Sequence, residues 1–241
     1  MHPPTDANKI REIETAAASQ GEKRAQRKPF GPEWGSSYWG KWQTVIYILH
    51  ALNIAPDAEV LDVGAGGGWT TIFLAEAGYQ PLGVDIAPAS VEIGRQRAQR
   101  VDVSARFEVA DMDELALDEQ FDVVIFFDAL HHTARQFEVI TRAVAHLRPK
   151  GWVVFGEPSW LHAISPHARG THREVGWIER GIWVRRLKSD CRACGLTQFR
   201  RFHEGTAPHE SLRAMLYQAL RLIGSHTVGA PQMSVWLAAQ R

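Results

Sequence analysis

From residue 59 to residue 156 short apolar segments alternate with longer amphipathic ones, and this alternation constrains the fold more than any other feature. Strands are predicted at Glu59–Val63, Gln80–Asp85, Ala105–Val109, Phe121–Phe127 and Trp152–Phe155. Helices are predicted at Thr70–Ala77, closed by Gly78, at Ser90–Arg100 behind Pro88, and at Ala134–Leu147 before Pro149 and Gly151. Regular βα alternation implies a parallel sheet with helices on both faces, and Phe121–Phe127, apolar almost throughout, reads as a strand covered on both sides. After Gly156 the pattern loosens into a long connection over 157–182, rich in Pro, Gly and His. A helix at Val184–Cys194 ending at Gly195, a strand at Leu196–His203, a helix at Ser211–Ile223 and a strand at Ser234–Ala239 follow. The last two strands are expected to run as an antiparallel pair with the 211–223 helix inserted between them. Ahead of the sheet, residues 1–28 read as a solvated helix or a loose segment. Pro29, Phe30, Trp34, Tyr38, Trp39 and Trp42 then crowd together before a helix over Thr44–Leu52.

Composition narrows the function classes. At 45% hydrophobic and 22% charged residues the 241-residue chain can bury a sizeable core. Its 27 Lys+Arg balance 27 Asp+Glu, which argues against bulk electrostatic attraction to nucleic acid. Two cysteines make no disulfide framework. The first twenty residues hold no apolar leader, and the longest apolar runs, Val45–Leu49 and Val123–Phe127, fall far short of a membrane span. A soluble, cytoplasmic protein is expected.

The stretch Val60-Leu61-Asp62-Val63-Gly64-Ala65-Gly66-Gly67-Gly68-Trp69 falls between the first strand and its helix, where an open α/β sheet binds ligands. Its spacing is G-x-G-x-G. The dinucleotide fingerprint needs a glycine at position 69, which is Trp69, and the nicotinamide reading weakens accordingly. Asp85, 21 residues beyond Gly64 at the end of the second strand, is placed to accept hydrogen bonds from both hydroxyls of a ribose. After the third strand, Asp111 can accept from an adenine amino group while Met112 packs on the ring; the plainer reading of Asp111 is a loop carboxylate in an acidic surface, since residues 101–130 hold nine acids and one Arg.

The run Leu61–Gly68, then Gly83-Val84-Asp85, Asp111-Met112, Phe121-Asp122-Val123-Val124 and Leu147-Arg148-Pro149-Lys150-Gly151-Trp152 resembles the successive motifs of class I S-adenosylmethionine-dependent methyltransferases. The resemblance covers about residues 57–156. It implies a Rossmann-like α/β fold with a seven-stranded sheet of order 3-2-1-4-5-7-6, the last strand antiparallel, and S-adenosylmethionine as cofactor. It implies that Gly64, Ala65 and Gly66 approach the methionine part and that Asp62 sits below, holding the loop or the amino group. Asp85 and Ile86 would take the ribose, Asp111 and Met112 the adenine, with Phe127 alongside. Residues 1–56 are expected to form an N-terminal helical extension that either covers the pocket as a lid or packs on the sheet; residues 57–241 are expected to form the methyltransferase domain, its cofactor half at 57–156 and its substrate side at 157–241. The inserted helix at 211–223 departs from the simpler connection of many relatives.

Methyl transfer from a sulfonium needs alignment and exclusion of water more than chemistry from the protein, though an oxygen acceptor usually needs a base. His131 and His132, at the carboxyl edge after the fourth strand, are candidates for that base; the alternative for both is structural. Glu157, after the fifth strand, either meets the substrate or orders a loop. Tyr38 and Trp39 either cover the cofactor, where aromatic faces attract the cationic sulfonium, or pack on the sheet. His162, His167, His172 and His203 match no metal-ligand spacing, so no metal is expected. Cys191-Arg192-Ala193-Cys194 reads as two partly buried thiols. Nine basic residues between 169 and 201, against three acids, favour an anionic acceptor if they face the cleft and are otherwise a solvated face. The leading expectation is a methyltransferase acting on a small polar metabolite, such as a sugar-related one, at oxygen. The alternatives are a tRNA or other nucleic-acid methyltransferase, and a non-catalytic scaffold or sensor with the same fold. The apolar face of the 211–223 helix must bury against something, either the pocket or a second copy in a homodimer.

Overall fold

The structure, a computed structural model, describes residues 7–18, 23, 25–29, 37–164, 169–170, 173, 180–204 and 234–241. Seven strands form one sheet: β1 (Glu59–Val63), β2 (Gln80–Asp85), β3 (Arg106–Val109), β4 (Phe121–Phe127), β5 (Leu147–Pro158), β6 (Gln198–Phe202) and β7 (Ser234–Gln240). Their order is β3-β2-β1-β4-β5-β7-β6. The pairs from β3 through β5 are parallel, and β7 lies antiparallel to both β5 and β6. The described helices are α1 (Ala7–Ala17), α2 (Ser37–Ala51), α3 (Trp69–Glu76), α4 (Pro88–Val101), α5 (Gln136–Ala145) and α6 (Val184–Ala193). Sheet order and the antiparallel last strand are as expected; the 211–223 helix lies outside the described residues.

Side chains alternate across the pleat, so each strand feeds two cores. Leu61, Val63, Val124, Phe126 and Phe155 bury against Val139, Ile140 and Ala143 of α5 and Leu187 and Cys191 of α6. Val60, Val123, Ile125, Val154 and Trp236 bury against Val45, Ile48 and Leu49 of α2 and Trp69 and Leu74 of α3. Trp42 joins the second core by packing on Phe73, with ring centres 5.2 Å apart. Among the N-terminal aromatics this one is therefore a packing residue. Cys191 is fully buried, and removal from water pushes its thiol up to about 12, so the C-x-x-C is not a reactive pair.

Two local expectations change. The helix predicted to reach Leu147 stops at Ala145, because Leu147 already pairs with Phe121 as strand. The register then shifts before Val123 meets Trp152, and the bulge places Lys150 at φ 67°. Residues 7–17, for which a solvated helix was one option, form α1, which packs against α4 and the carboxyl edge of the sheet. Its Lys9 finds opposite charges there.

Candidate active site

The strand order reverses between the parallel strands β1 and β4, and the loops after β1, β2, β3 and β4 open a cleft of about 270 Å³ at their carboxyl ends. Gly64 and Gly66 form one wall, Asp85 and Ile86 the next, Asp111, Met112 and Asp113 a third, and Asp128 with His132 the fourth. Helix α1 adds Lys9, Glu12 and Ala16 from outside the sheet.

The glycine loop is left-handed at Gly64 (φ 77°), and an added Cβ there would fall 2.5 Å from the Ala129 side chain. Gly68 (φ 75°) caps α3 and lets Phe107 and Gly94 approach closely. Val84 O accepts from the amides of Gly64 and Ala65. Asp85 holds the turn from both sides: Oδ2 accepts from Gly66 N at 2.8 Å and Oδ1 from Ala87 N at 2.9 Å. Burial pushes the Asp85 carboxyl up while these two amides pull it back. Arg97 of α4 donates to Gly67 O at 3.0 Å and to Lys28 O, tying the N-terminal segment to the loop.

Asp111 and Asp113 are bridged by one ammonium. Lys9 Nζ lies 2.6 Å from Asp111 Oδ2 and 2.7 Å from Asp113 Oδ2. Burial pulls the Lys9 ammonium down, but these hydrogen bonds and charges outweigh it and its pKa is raised. Thr133 Oγ1 donates to Asp113 Oδ1 at 2.7 Å. Asp128, at φ 58°, has Lys28 Nζ at 3.8 Å and Lys41 Nζ at 3.9 Å. Glu12, removed from water and facing Asp85 and Asp111, is pushed up to about 8.

Several residues expected at the site do not line this cleft. Asp62 is buried beneath the loop, where it accepts from Thr71 Oγ1 at 2.7 Å; burial drives its carboxyl to about 6 against that hydrogen bond. Ala65 is buried against Gly83, and Phe127 is consumed by Trp69 and Trp236. Glu157 is buried and accepts from the amides of Ala129, Leu130 and His131 and, at 2.8 Å, from His131 Nδ1. It therefore orders the loop after β4 and holds His131, itself buried, in place. His132 lines the cleft, its ring 4.0 Å from that of His131, with His162 5.5 Å from His131 on another side. Tyr38 and Trp39 lie in α2, but their side chains, like Trp34, His167 and His172, fall outside the described set. The basic stretch is partly structural: Arg186 pairs with Asp190, Arg192 and Lys188 sit over Phe199, and Arg200 sits over Phe202. Sequence reasoning missed Lys9, Glu12, Asp113, Asp128 and Arg97. Asp113 and Asp128 carried a signal, two positions beyond Asp111 and one beyond Phe127, both already singled out.

An open α/β sheet of this order with a glycine loop and an acidic residue at its switch point is the class I methyltransferase fold. Residues 60–151 match the methyltransferase domain family. Ubiquinone biosynthesis O-methyltransferases of Bordetella avium and Bordetella bronchiseptica are 34% and 36% identical over 99 residues, each match covering 40% of this chain and 41% of the relative. The chain thus spans about two fifths of the length of the curated relatives it matches. Magnesium protoporphyrin IX methyltransferase from Synechocystis PCC 6803, with bound SAH, superposes with TM-score 0.69 at 19% identity, over 98% of this chain and 100% of that one. Phosphoethanolamine N-methyltransferase 2 of Haemonchus contortus, in complex with S-adenosyl-L-methionine, gives 0.68 at 16%, over 98% and 60%. The last two are likenesses of fold. The match to the methyltransferase domain family is confined to residues 60–151.

Proposed function

We propose that the chain is an S-adenosylmethionine-dependent methyltransferase that methylates an oxygen of a small polar metabolite. The observation that carries this reading is the cleft itself, with the left-handed glycine loop, Asp85 and Asp111 around one cavity. An added Cβ at Gly66 (φ 54°) meets nothing within 4 Å, so that glycine leaves space for a ligand rather than for protein packing. The residues fit the cofactor: Asp85 for the ribose hydroxyls, Asp111 with Met112 for the adenine, and Gly64 with Gly66 for the methionine. When bound, the cofactor supplies an electrophilic methyl group on a good leaving group. The chain's own work is alignment and proton acceptance. His132, the histidine that lines the cleft, takes the acceptor proton; His131, held by Glu157, positions it.

The named function of the Bordetella relatives favours oxygen as the acceptor atom. Among the described residues no helix is long and apolar enough to cross a membrane. A cytoplasmic location, residues 1–56 as a lid, and an anionic or sugar-like acceptor belong to the same proposal. The test is methyl transfer from labelled cofactor to a panel of polar phenols, carboxylates and sugars. Labelled product with wild type and none with Asp85→Ala supports the proposal; no product across the panel despite cofactor binding would favour the sensor alternative.

A further inference from the structure

Helix α1 presents Lys9, Glu12 and Ala16 to the cleft at positions i, i+3 and i+7, one face of a helix. Lys9 is spent on Asp111 and Asp113. Glu12 is not: among the described residues no hydrogen bond or ion pair reaches its carboxyl group. Charged and titratable groups face it from every element around the cleft. Lys9 comes from α1 itself, Lys28 from the following segment and Asp85 from β2. Asp111 and Asp113 come from the loop after β3; Asp128, His131 and His132 follow β4; and Arg135 precedes α5.

We propose that Glu12 makes this cleft selective for charge, favouring the cationic sulfonium cofactor over its neutral demethylated product. The inference rests on the methyltransferase reading above. The two ligands differ by one methyl group and one positive charge, so shape discriminates weakly between them and a carboxylate discriminates directly. Glu12 lines the same cavity as Gly64, Gly66, Asp85 and Asp111, so a charge bound among them acts on it directly. In the free cleft the surrounding carboxylates and the loss of water push the Glu12 pKa up to about 8. At pH 7.5 it therefore retains its proton for much of the time. An arriving sulfonium pulls that pKa down and the proton leaves to solvent; the neutral product exerts no such pull, and Glu12 stays protonated. Binding of the charged form is thereby strengthened, and the product is the more readily released as the charge disappears.

The experiment titrates the full chain at pH 7.5 by calorimetry with S-adenosylmethionine and with S-adenosylhomocysteine, in two buffers of different ionisation enthalpy. More proton release is expected with the sulfonium than with the product. Glu12→Gln is expected to remove the Glu12 share of that difference and to shrink the ratio of the two Kd values by roughly three- to tenfold, tenfold being one pKa unit. Glu12→Asp is expected to keep part of both. Equal proton release by the wild type for the two ligands, or a Glu12→Gln variant with release and Kd ratio unchanged, would overturn the charge-selective role. Failure of the folded wild type to bind either ligand would instead overturn the methyltransferase reading beneath it.

Discussion

Lys9 and Asp111 stand 102 positions apart in the chain and meet in the cleft, Nζ to Oδ2, at 2.6 Å. Because Asp111 is also the group proposed for the adenine, α1 and the cofactor would address the same carboxylate. Asp113, bridged by the same ammonium, makes α1 part of the site and not a solvated appendage. Lys9→Met leaves the buried Asp113 and the part-buried Asp111 without their shared cation and should loosen α1 by about 1–3 kcal/mol. Amide exchange over residues 7–17 should then rise by about tenfold or more, with β4 unaffected. Unchanged protection of α1 would show that the bridge does not hold it.

Glu157 gathers three backbone amides and one imidazole into a buried carboxylate. Glu157→Ala strands all four donors and should cost about 3–5 kcal/mol in urea unfolding. Because the same loop carries Ala129 against Gly64 and His132 into the cleft, cofactor affinity should fall with it. A loss under about 1 kcal/mol would mean the loop is ordered by other contacts.

Gly64→Ala combines φ 77° with a Cβ placed 2.5 Å from the Ala129 side chain. The variant should lose about 1–3 kcal/mol and cofactor binding with it. Wild-type melting temperature together with wild-type affinity would contradict the close approach of these two loops.

Two carboxyls titrate upward on folding, Asp62 from 3.8 to about 6 and Glu12 from 4.5 to about 8. Between each pair of values the native state holds a proton that the unfolded chain has released. Their contribution to stability is therefore full below about pH 4 and is lost as pH rises through 6 and then 8. Glu12→Gln should flatten the upper part of that decline and Asp62→Asn the lower part, as read from urea midpoints between pH 4 and 9. A Glu12→Gln curve parallel to wild type above pH 6 would rule out a raised carboxyl at that position.

Much of the sheet was legible because its strands obey two local rules. Buried strands such as Phe121–Phe127 are continuously apolar, and β1 and β2 end in residues, Val63 and Asp85, followed at once by turn chemistry. Asp85 was legible as a cleft residue by spacing, though its hold on Gly66 and Ala87 was not. Helix α1 was opaque for a physical reason. It faces its neighbours with Lys9 and Glu12, so the face that binds looks like a face for solvent, and the partners Asp111 and Asp113 lie a hundred residues away. Glu157 and His131 were readable as residue types at the carboxyl edge. Neither lines the cleft while His132 does, because the loop after β4 folds back onto Glu157 of β5, and pairwise spacing holds no record of that.

The most direct test of the central claim is calorimetric titration of the purified chain and of its Asp85→Ala variant with S-adenosylmethionine and S-adenosylhomocysteine. The account predicts that the wild type binds both, with Kd on the order of micromolar, and that the variant, still folded, binds neither measurably. Absence of binding by a folded wild type, or equal binding by Asp85→Ala, would contradict the assignment of this cleft to the cofactor.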